Sequence, residues 1–244
     1  MCIIILNPAN APAISRETFN TCQERNPDGT GILYIRKNRL VIDRTLDDHD
    51  RIFRLYKKIK KSNPDSPIVL HFRIATHGGI NLQNCHPFRV NRNLAFAHNG
   101  IIPITPLVGK SDTVTYNETV LKLKNPKFYL NRQDQSDVAR DIGNGSKIVF
   151  LDSDGKSVII NEQAGQWHNG NWFSNGSYKS GHSRTTGKKL NKIPPYDYSF
   201  IWNGHKSYDR GCMNCTAPLE TYRERRLDYC EPCARIYGLL PEIN

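Results

Sequence analysis

The sequence of 244 residues predicts an α+β fold followed by a small cysteine-rich module. Two observations lead to this prediction. Short β-branched runs bounded by turn residues alternate with segments whose apolar residues recur at helical spacing. After residue 175 this periodicity is lost, and two Cys-x-x-Cys pairs follow near the end of the chain. Such pairs are typical of metal-stabilised modules.

The first half is predicted to contain a hairpin, a helix and two buried strands. Residues 31–35 and 39–43 flank the turn Lys37-Asn38 and form the hairpin. Apolar residues at i, i+3, i+4 and i+7 then predict a helix, with Asp47 and Asp48 available to cap it. These apolar residues are Ile52, Leu55, Tyr56 and Ile59. Residues 67–70 and 94–97 are apolar and predict strands.

The second half is predicted to add two short helices, a hairpin and a last strand. Residues 120–123 and 138–142 are the helical segments. Residues 147–151 and 157–160 flank Asp154-Gly155 and give the strongest hairpin pattern in the chain. Residues 167–175 predict a strand region that closes the sheet.

Cys2 precedes an apolar strand and is the first chemically informative residue. Removal of Met1 is expected, because the side chain that follows it is small. The chain would then begin with a cysteine that carries both a thiol and an α-amine. The pKa of an α-amine lies near 8, so the amine can serve as a base for the thiol at neutral pH. Considered alone, a cysteine before an apolar strand is more often a buried and inert thiol.

Polar residues follow the two predicted buried strands where these strands end. The planar guanidinium of Arg73 suits a carboxylate, and Asp112 can hold an ammonium group. The side-chain NH2 of Asn99 and the N–H of Gly100 can stabilise an oxyanion. With a thiol, these groups describe a site for an α-amino acid that carries a side-chain amide. Two structural alternatives are a helix cap at Asp112 and a plain turn at Asn99-Gly100.

These motifs resemble the glutaminase domain of class II, N-terminal-nucleophile glutamine amidotransferases, in particular that of glucosamine-6-phosphate synthases. The resemblance covers roughly residues 2–175 and is carried by four segments in order, 25–31, 71–78, 84–88 and 97–102. It implies a four-layer α-β-β-α sandwich of the N-terminal-nucleophile hydrolase type, with glutamine as substrate.

The resemblance also implies roles for single residues. Cys2 would be the nucleophile, with Asn99 and Gly100 as the oxyanion hole. The substrate would be bound by Arg73, Thr76, His77, Gly78 and Asp112. Ile3 stands where the family usually has glycine, and Ile74 stands where it has an aromatic residue. Neither difference removes a reacting group.

Other histidines and cysteines in this half are predicted to be structural. A metal site is conceivable for the histidines His71, His77, His86 and His98, but the resemblance implies no metal there. We predict that they are hydrogen-bonded residues at strand ends. Cys22 and Cys85 are predicted to be buried thiols.

The carboxyl-terminal part is divided into a basic linker or arm, residues 176–205, and a zinc-binding module, residues 206–244. In the module, Cys212-x-x-Cys215 and Cys230-x-x-Cys233 are separated by a spacing typical of zinc-ribbon-like sites. Four thiolates would hold Zn²⁺ in a closed tetrahedron, which suits a structural rather than a catalytic ion. Such a module binds nucleic acid or protein, or only stabilises the tail.

Composition restricts the partners and the compartment. A formal net charge of +11 and a pI near 9.4 favour nucleic acid or an acidic partner. The mean hydropathy is −0.59, and no apolar run approaches the about 20 residues that span a bilayer. Seven cysteines, without a signal peptide, indicate a reducing compartment. We therefore expect a cytoplasmic protein that does not bind membranes.

Three functional hypotheses remain open from the sequence. The first is a glutaminase whose ammonia passes to a synthase on a separate protein, because residues 176–244 are too few for a synthase domain. The second is an amidase acting on an amide other than glutamine. The third is a weak or inactive glutaminase fold that binds nucleic acid or protein through its basic zinc arm.

Overall fold

The computed structural model describes residues 2–75 and 79–179, which form two antiparallel sheets. The strands are β1 Ile3–Asn7, β2 Thr30–Arg36, β3 Arg39–Thr45, β4 Ile68–Phe72, β5 Phe88–Asn91, β6 Leu94–Asn99, β7 Lys147–Asp152, β8 Ser157–Ile160, β9 Gln166–His168 and β10 Asn171–Phe173. One sheet has the order β3-β2-β4-β1-β10-β9 and the other the order β5-β6-β7-β8. Every pairing between neighbouring strands is antiparallel.

Four α-helices lie in the described part of the chain, two from each half. They are α1 Arg16–Arg25, α2 His49–Ser62, α3 Asp112–Thr119 and α4 Arg132–Ile142. Each begins at a polar residue whose side chain accepts a hydrogen bond from a backbone N–H of the first turn. These caps are Ser15, Asp48, Ser111 and Asn131. No described helix is long and apolar enough to cross a membrane.

Three apolar clusters show that the elements are stacked in four layers. The cluster around Phe19, Tyr56 and Phe72 packs α1 and α2 against the six-stranded sheet. A second cluster, around Val138 and Phe150, packs α3 and α4 against the four-stranded sheet. The third cluster lies between the two sheets. Its members come from both of them, as in Ile4, Leu33, Val69, Ala97, Val149 and Trp172. The expected α-β-β-α layering is therefore confirmed.

Most of the predicted elements are present, and two hairpins are confirmed with their turns. Lys37 and Asn38 have φ of 51° and 56°, which is the left-handed backbone that a two-residue turn requires. Gly155 supplies a positive φ in the second hairpin. The segment predicted as a helix at residues 120–123 is a 3₁₀ turn, Leu121–Leu123, directly after α3.

The helix α1 was not predicted, because only Phe19 and Cys22 of its ten residues are buried. Two apolar positions are too few to reveal a helical period. At the other end of the described chain, Tyr178 is buried and stacks on Phe173 with ring centroids 3.8 Å apart. The chain thus packs against the six-stranded sheet as far as Tyr178. The rest of the predicted linker and the zinc module lie outside the described residues.

Candidate active site

Cys2 lies next to the centre of the six-stranded sheet, because β1 is flanked by β4 and β10. Ile74, just beyond β4, donates its N–H to Cys2 Sγ at 3.4 Å, and its carbonyl oxygen lies 3.4 Å from the same sulfur. On the other side, Asn175 Nδ2 donates to the Cys2 carbonyl at 2.7 Å. The residues that follow both neighbouring strands therefore fix Cys2.

The Cys2 thiol is half-buried, and its surroundings act on it in opposite directions. Burial raises the pKa of the thiol, because a thiolate loses water there. The Ile74 N–H and the charge of Arg73 lower the pKa, although by less than burial raises it. Conversion of this thiol to a nucleophile consequently needs a base close to the sulfur.

Arg73 follows β4 directly and is 3 % exposed. Its Nη2 donates to the carbonyl of Gly79 at 3.0 Å. Its Nη1 is buried and has no hydrogen-bond partner among the described residues. A buried guanidinium N–H without a partner is unfavourable, so this donor is available to a ligand group that accepts hydrogen bonds.

Asp28 holds the segment after β4 in place. Asp28 N donates to the Arg73 carbonyl at 2.9 Å, and Arg73 N donates to the Gly29 carbonyl at 2.8 Å. The Asp28 carboxylate then accepts from the N–H of Ala75 at 2.8 Å. The loop that carried part of the family resemblance is thus paired with the residues around Arg73, a positioning role that the sequence did not assign.

Asn99 and Gly100 lie at the end of β6 in the four-stranded sheet. Asn99 is buried, and its Nδ2 donates to Ser174 Oγ at 2.7 Å. Gly100 has φ of +147°, and a Cβ placed there would lie 2.1 Å from Ser146 Oγ. Both the backbone conformation and the contact with Ser146 require glycine. The predicted oxyanion hole is therefore a sterically fixed turn.

Ser174 was missed by the sequence analysis, although it connects the two sheets at the site. Its Oγ accepts from Asn99 Nδ2 and from the N–H of Ile4 at 2.9 Å. Ser174 N donates in turn to the Ile4 carbonyl at 3.0 Å. Ser174 and Asn175 directly follow β10, so the same pattern that revealed Asn99-Gly100, polar residues at a strand end, could have revealed them.

Asp112 is the first residue of α3, but it does not cap this helix. Ser111 is the cap, and its hydroxyl accepts from the N–H of Val114. The Asp112 carboxylate accepts from the N–H groups of Ile102 and Thr113, both at 2.7 Å. A carboxylate has about four acceptor positions, so it retains capacity for an ammonium group.

Three histidines form a buried cluster beside these residues. The rings of His71 and His86 are 4.2 Å apart, and those of His86 and His98 are 6.2 Å apart. His71 Nε2 donates to the carbonyl of His98 at 3.1 Å, and His98 Nδ1 bonds the hydroxyl of Thr113 at 2.8 Å. Burial lowers the pKa of His71 to about 3 and that of His98 to about 4, so both rings are neutral at pH 7.

Within residues 2–75 and 79–179, no group of histidine, cysteine and acidic residues could hold a metal ion. Cys22 and Cys85 are buried as predicted, and burial raises the pKa of their thiols to about 12 and about 11. Two sets of predicted site residues lie outside the described residues. They are the substrate-binding residues Thr76, His77 and Gly78, and the metal ligands Cys212, Cys215, Cys230 and Cys233.

One cavity brings four of the predicted site residues together. Cys2, Arg73, Gly100 and Asp112 all line it, as do His86 and His98. Asn99 directly precedes Gly100 in the chain and is therefore next to this cavity. The described residues leave about 30 Å³ here, room for about two water molecules. A thiol, a cation and a carboxylate thus line one space.

Two solved structures are similar to this chain. They are glutamine phosphoribosylpyrophosphate amidotransferase from B. subtilis and the allosteric regulatory enzyme of purine biosynthesis. Each is 16% identical and covers 71% of this chain, with TM-scores of 0.46 and 0.47. This chain spans 41% of the length of each. No curated protein matches. Residues 4–116 match the family of class-II glutamine amidotransferases.

Proposed function

We propose that this chain hydrolyses the side-chain amide of glutamine through Cys2 and supplies the ammonia to an acceptor on a separate partner protein. The observation that carries the proposal is the cavity in which Cys2, Arg73, Gly100 and Asp112 converge. The match of residues 4–116 to class-II glutamine amidotransferases supports the same reaction. Removal of Met1, which makes Cys2 the terminal residue, is part of the proposal.

Glutamine would be held by both of its charged ends. The unpartnered Nη1 of Arg73 would donate to the α-carboxylate, and the Asp112 carboxylate would accept from the α-ammonium group. Thr76, His77 and Gly78 would complete the substrate site. The side-chain amide would then enter the space next to Cys2 Sγ. Such positioning alone supplies a large part of the rate enhancement of an enzyme.

The α-amine of Cys2 would take the thiol proton, and the sulfur would attack the amide carbon. The C–S bond forms as the carbonyl π electrons move to oxygen, and Gly100 N–H and Asn99 Nδ2 would stabilise this oxyanion. The C–N bond then breaks, and the amine returns its proton to the leaving ammonia. Water hydrolyses the resulting γ-glutamyl thioester, which releases glutamate and the free thiol.

Asn99 Nδ2 needs one free hydrogen for this role. One of its two hydrogens is bonded to Ser174 Oγ, so the other can point to the oxyanion. The bond to Ser174 also fixes the plane of the amide. Ser174 is therefore a positioning residue in the proposed reaction.

The carboxyl-terminal module would have a structural role. The spacing of Cys212, Cys215, Cys230 and Cys233 supports a structural Zn²⁺ held by four thiolates. Metal analysis of the purified chain tests this ion directly, with one equivalent of zinc as the expected result.

We also propose that the basic carboxyl-terminal part of the chain contacts nucleic acid or the partner protein. The protein would act in the cytoplasm.

The experiment that tests the proposal is a glutaminase assay that follows glutamate and ammonia from purified chain. We expect slow turnover that a Cys2→Ala variant lowers by at least about 1,000-fold, as for removal of other nucleophiles. Cys22→Ala is the matched control, because Cys22 is a buried thiol of α1 remote from the cavity. Hydrolysis of other amides but not of glutamine would instead establish an amidase of different specificity. Activity that survives in Cys2→Ala would contradict the proposed nucleophile.

A further inference from the structure

Two hairpin turns form a cationic cleft that the proposed glutaminase reaction does not use. The turn between β2 and β3 contributes Lys37 and Arg39, and the hairpin of β5 and β6 contributes Arg89 and Arg92. The cleft between them has a volume of about 490 Å³. Its other lining residues are Asn38, Leu40 and Asn93. The described lining thus contains four cations and no carboxylate.

The charge of the first turn is unfavourable for the fold itself. In the ladder between β2 and β3, Arg36 lies directly opposite Arg39. Like charges at opposite positions destabilise a hairpin, and here Lys37 adds a third cation to the same turn. Among the described residues, none of the three forms an ion pair. Packing or ion pairing within the described fold therefore gives no reason for this concentration of charge.

Arg89 differs from its neighbours, because its guanidinium is used within the fold. It donates to the Leu40 carbonyl at 2.9 Å and to the Arg92 carbonyl at 3.1 Å. The bond to Leu40 ties the β5–β6 hairpin to β3, and the bond to Arg92 lies within this hairpin. The other three cations of the cleft, Lys37, Arg39 and Arg92, are exposed. The cleft is therefore preformed, with exposed cations on both of its sides.

A second cleft, of about 510 Å³, shares the lining residue Arg89 with the first. It adds the cations Arg44, Lys110 and Lys122. Its one described acidic residue is Glu118, which is paired with Lys110. The two clefts together present seven cations and one carboxylate, in a chain of net charge +11.

We propose that these two clefts bind the phosphate backbone of nucleic acid. A row of guanidinium and ammonium groups suits a polymer with regularly spaced phosphates. Asn38 and Asn93 offer neutral donors between the cations, as at many phosphate contacts. No described aromatic residue lines the first cleft, so binding there is electrostatic and independent of base stacking. The proposal does not depend on glutamine hydrolysis.

The test measures fluorescence anisotropy of a labelled short duplex DNA with the full chain over a series of KCl concentrations. The cleft variant is Lys37→Gln/Arg39→Gln/Arg92→Gln, which leaves the structural Arg89 in place. The control is Lys57→Gln/Lys58→Gln/Lys61→Gln on α2, which removes the same charge from exposed positions. Glutaminase activity and thermal unfolding verify that both variants are folded.

We expect the cleft variant to bind at least about tenfold more weakly and to lose about 2.7 from the slope of log K against log salt, near 0.9 for each phosphate contact. The control should bind within about twofold of the unaltered chain. Equal weakening in both variants would overturn the proposal, because the binding would then follow net charge or another part of the chain. Absence of binding to the duplex DNA would overturn it as well. Displacement of the DNA by polyglutamate at equal charge concentration would also overturn it and would indicate an acidic protein partner.

Discussion

The two sheets contribute to the candidate site in different ways. The six-stranded sheet supplies Cys2 and Arg73, and the guanidinium of Arg73 keeps a buried N–H without a partner among the described residues. The four-stranded sheet leads to Gly100 and Asp112, which steric contact with Ser146 and two backbone N–H bonds hold in place. One side thus retains a free donor for a ligand, whereas the other is fixed before any ligand binds. Fixed donors of this kind are what oxyanion stabilisation requires.

Gly100→Ala tests the fixed side and should have the largest effect of the variants in this comparison. The new Cβ would collide with Ser146, so the turn must shift and the Gly100 N–H must leave its position. We expect kcat for glutamine hydrolysis to fall roughly 100- to 1,000-fold, the range for loss of one oxyanion donor.

Gly143→Ala is the matched control for this variant. Gly143 also has a positive φ, +73°, but a Cβ there would meet no atom within 4 Å. It should lower the free energy of unfolding by about 1–3 kcal/mol through backbone strain and leave kcat unchanged. An equal loss of kcat in both variants would show that general strain, rather than the oxyanion position, decides the effect.

Arg73→Lys tests the side with the free donor. Lysine keeps the charge but cannot present the planar pair of donors that fits a carboxylate. We expect KM for glutamine to rise roughly tenfold or more, with a smaller change in kcat, because the carboxylate is bound in both ground and transition states. Arg25→Lys serves as the control, since Arg25 donates to the Ser177 carbonyl and is not among the described residues that line the cavity. An unchanged KM in Arg73→Lys would remove Arg73 from the carboxylate site.

Ser174→Ala tests the connection between the two sides. The change removes the acceptor for both Asn99 Nδ2 and the Ile4 N–H. We expect kcat to fall about tenfold with KM nearly unchanged, and the free energy of unfolding to fall by about 1–3 kcal/mol, the effect of a buried group left without a partner. Ser177→Ala is the comparison, because the buried Ser177 hydroxyl has no partner among the described residues. A change in KM alone would contradict the positioning role.

The histidine cluster of His71, His86 and His98 is expected to make stability depend clearly on pH. Its effect on activity should be the smallest in this comparison. Burial lowers the pKa values of His71, His86 and His98. In the unfolded chain these three rings take up protons below about pH 6.5, whereas in the folded chain they stay neutral to a lower pH. The stabilising contribution is therefore complete above that pH and is lost progressively as the pH falls toward 4.

Each of the three rings titrates near pH 6.5 in the unfolded chain and should lose about 1.4 kcal/mol between pH 7.5 and 5.5, so about 4 kcal/mol is lost over this range. Urea unfolding at several pH values measures this loss. His86→Leu should remove about one third of the pH dependence of the free energy of unfolding. A free energy of unfolding that stays constant over this range would contradict the neutral buried cluster.

Local patterns explain how much of the fold was predictable. The hairpins were found because turn residues with positive φ, such as Asn38, stand between β-branched runs. The helix α1 was missed because its contacts with the core come from two residues. The stacking of the sheets was not visible in any segment, since the cluster between them joins residues as distant as Ile4 and Trp172. Only the family resemblance implied it.

The same reasoning applies to the candidate site. Cys2, Arg73, Gly100 and Asp112 could be named from the sequence because each stands in a recognisable motif, and the structure brings them to one cavity. Ser174 also stands at a strand end, but its bonds to residues 75 and 170 positions away, which decide its role, are not visible in the sequence. Long-range contacts of this kind leave no period and no spacing in the sequence.

The most direct test of the central claim is the intact mass of the purified chain before and after incubation with a glutamine-mimicking diazo-ketone. The account predicts a chain that has lost Met1 and gains one adduct, which maps to Cys2 and is blocked by excess glutamine. Retention of Met1, or a processed chain whose Cys2 stays unlabelled, would contradict the assignment of Cys2 as the nucleophile of a glutaminase.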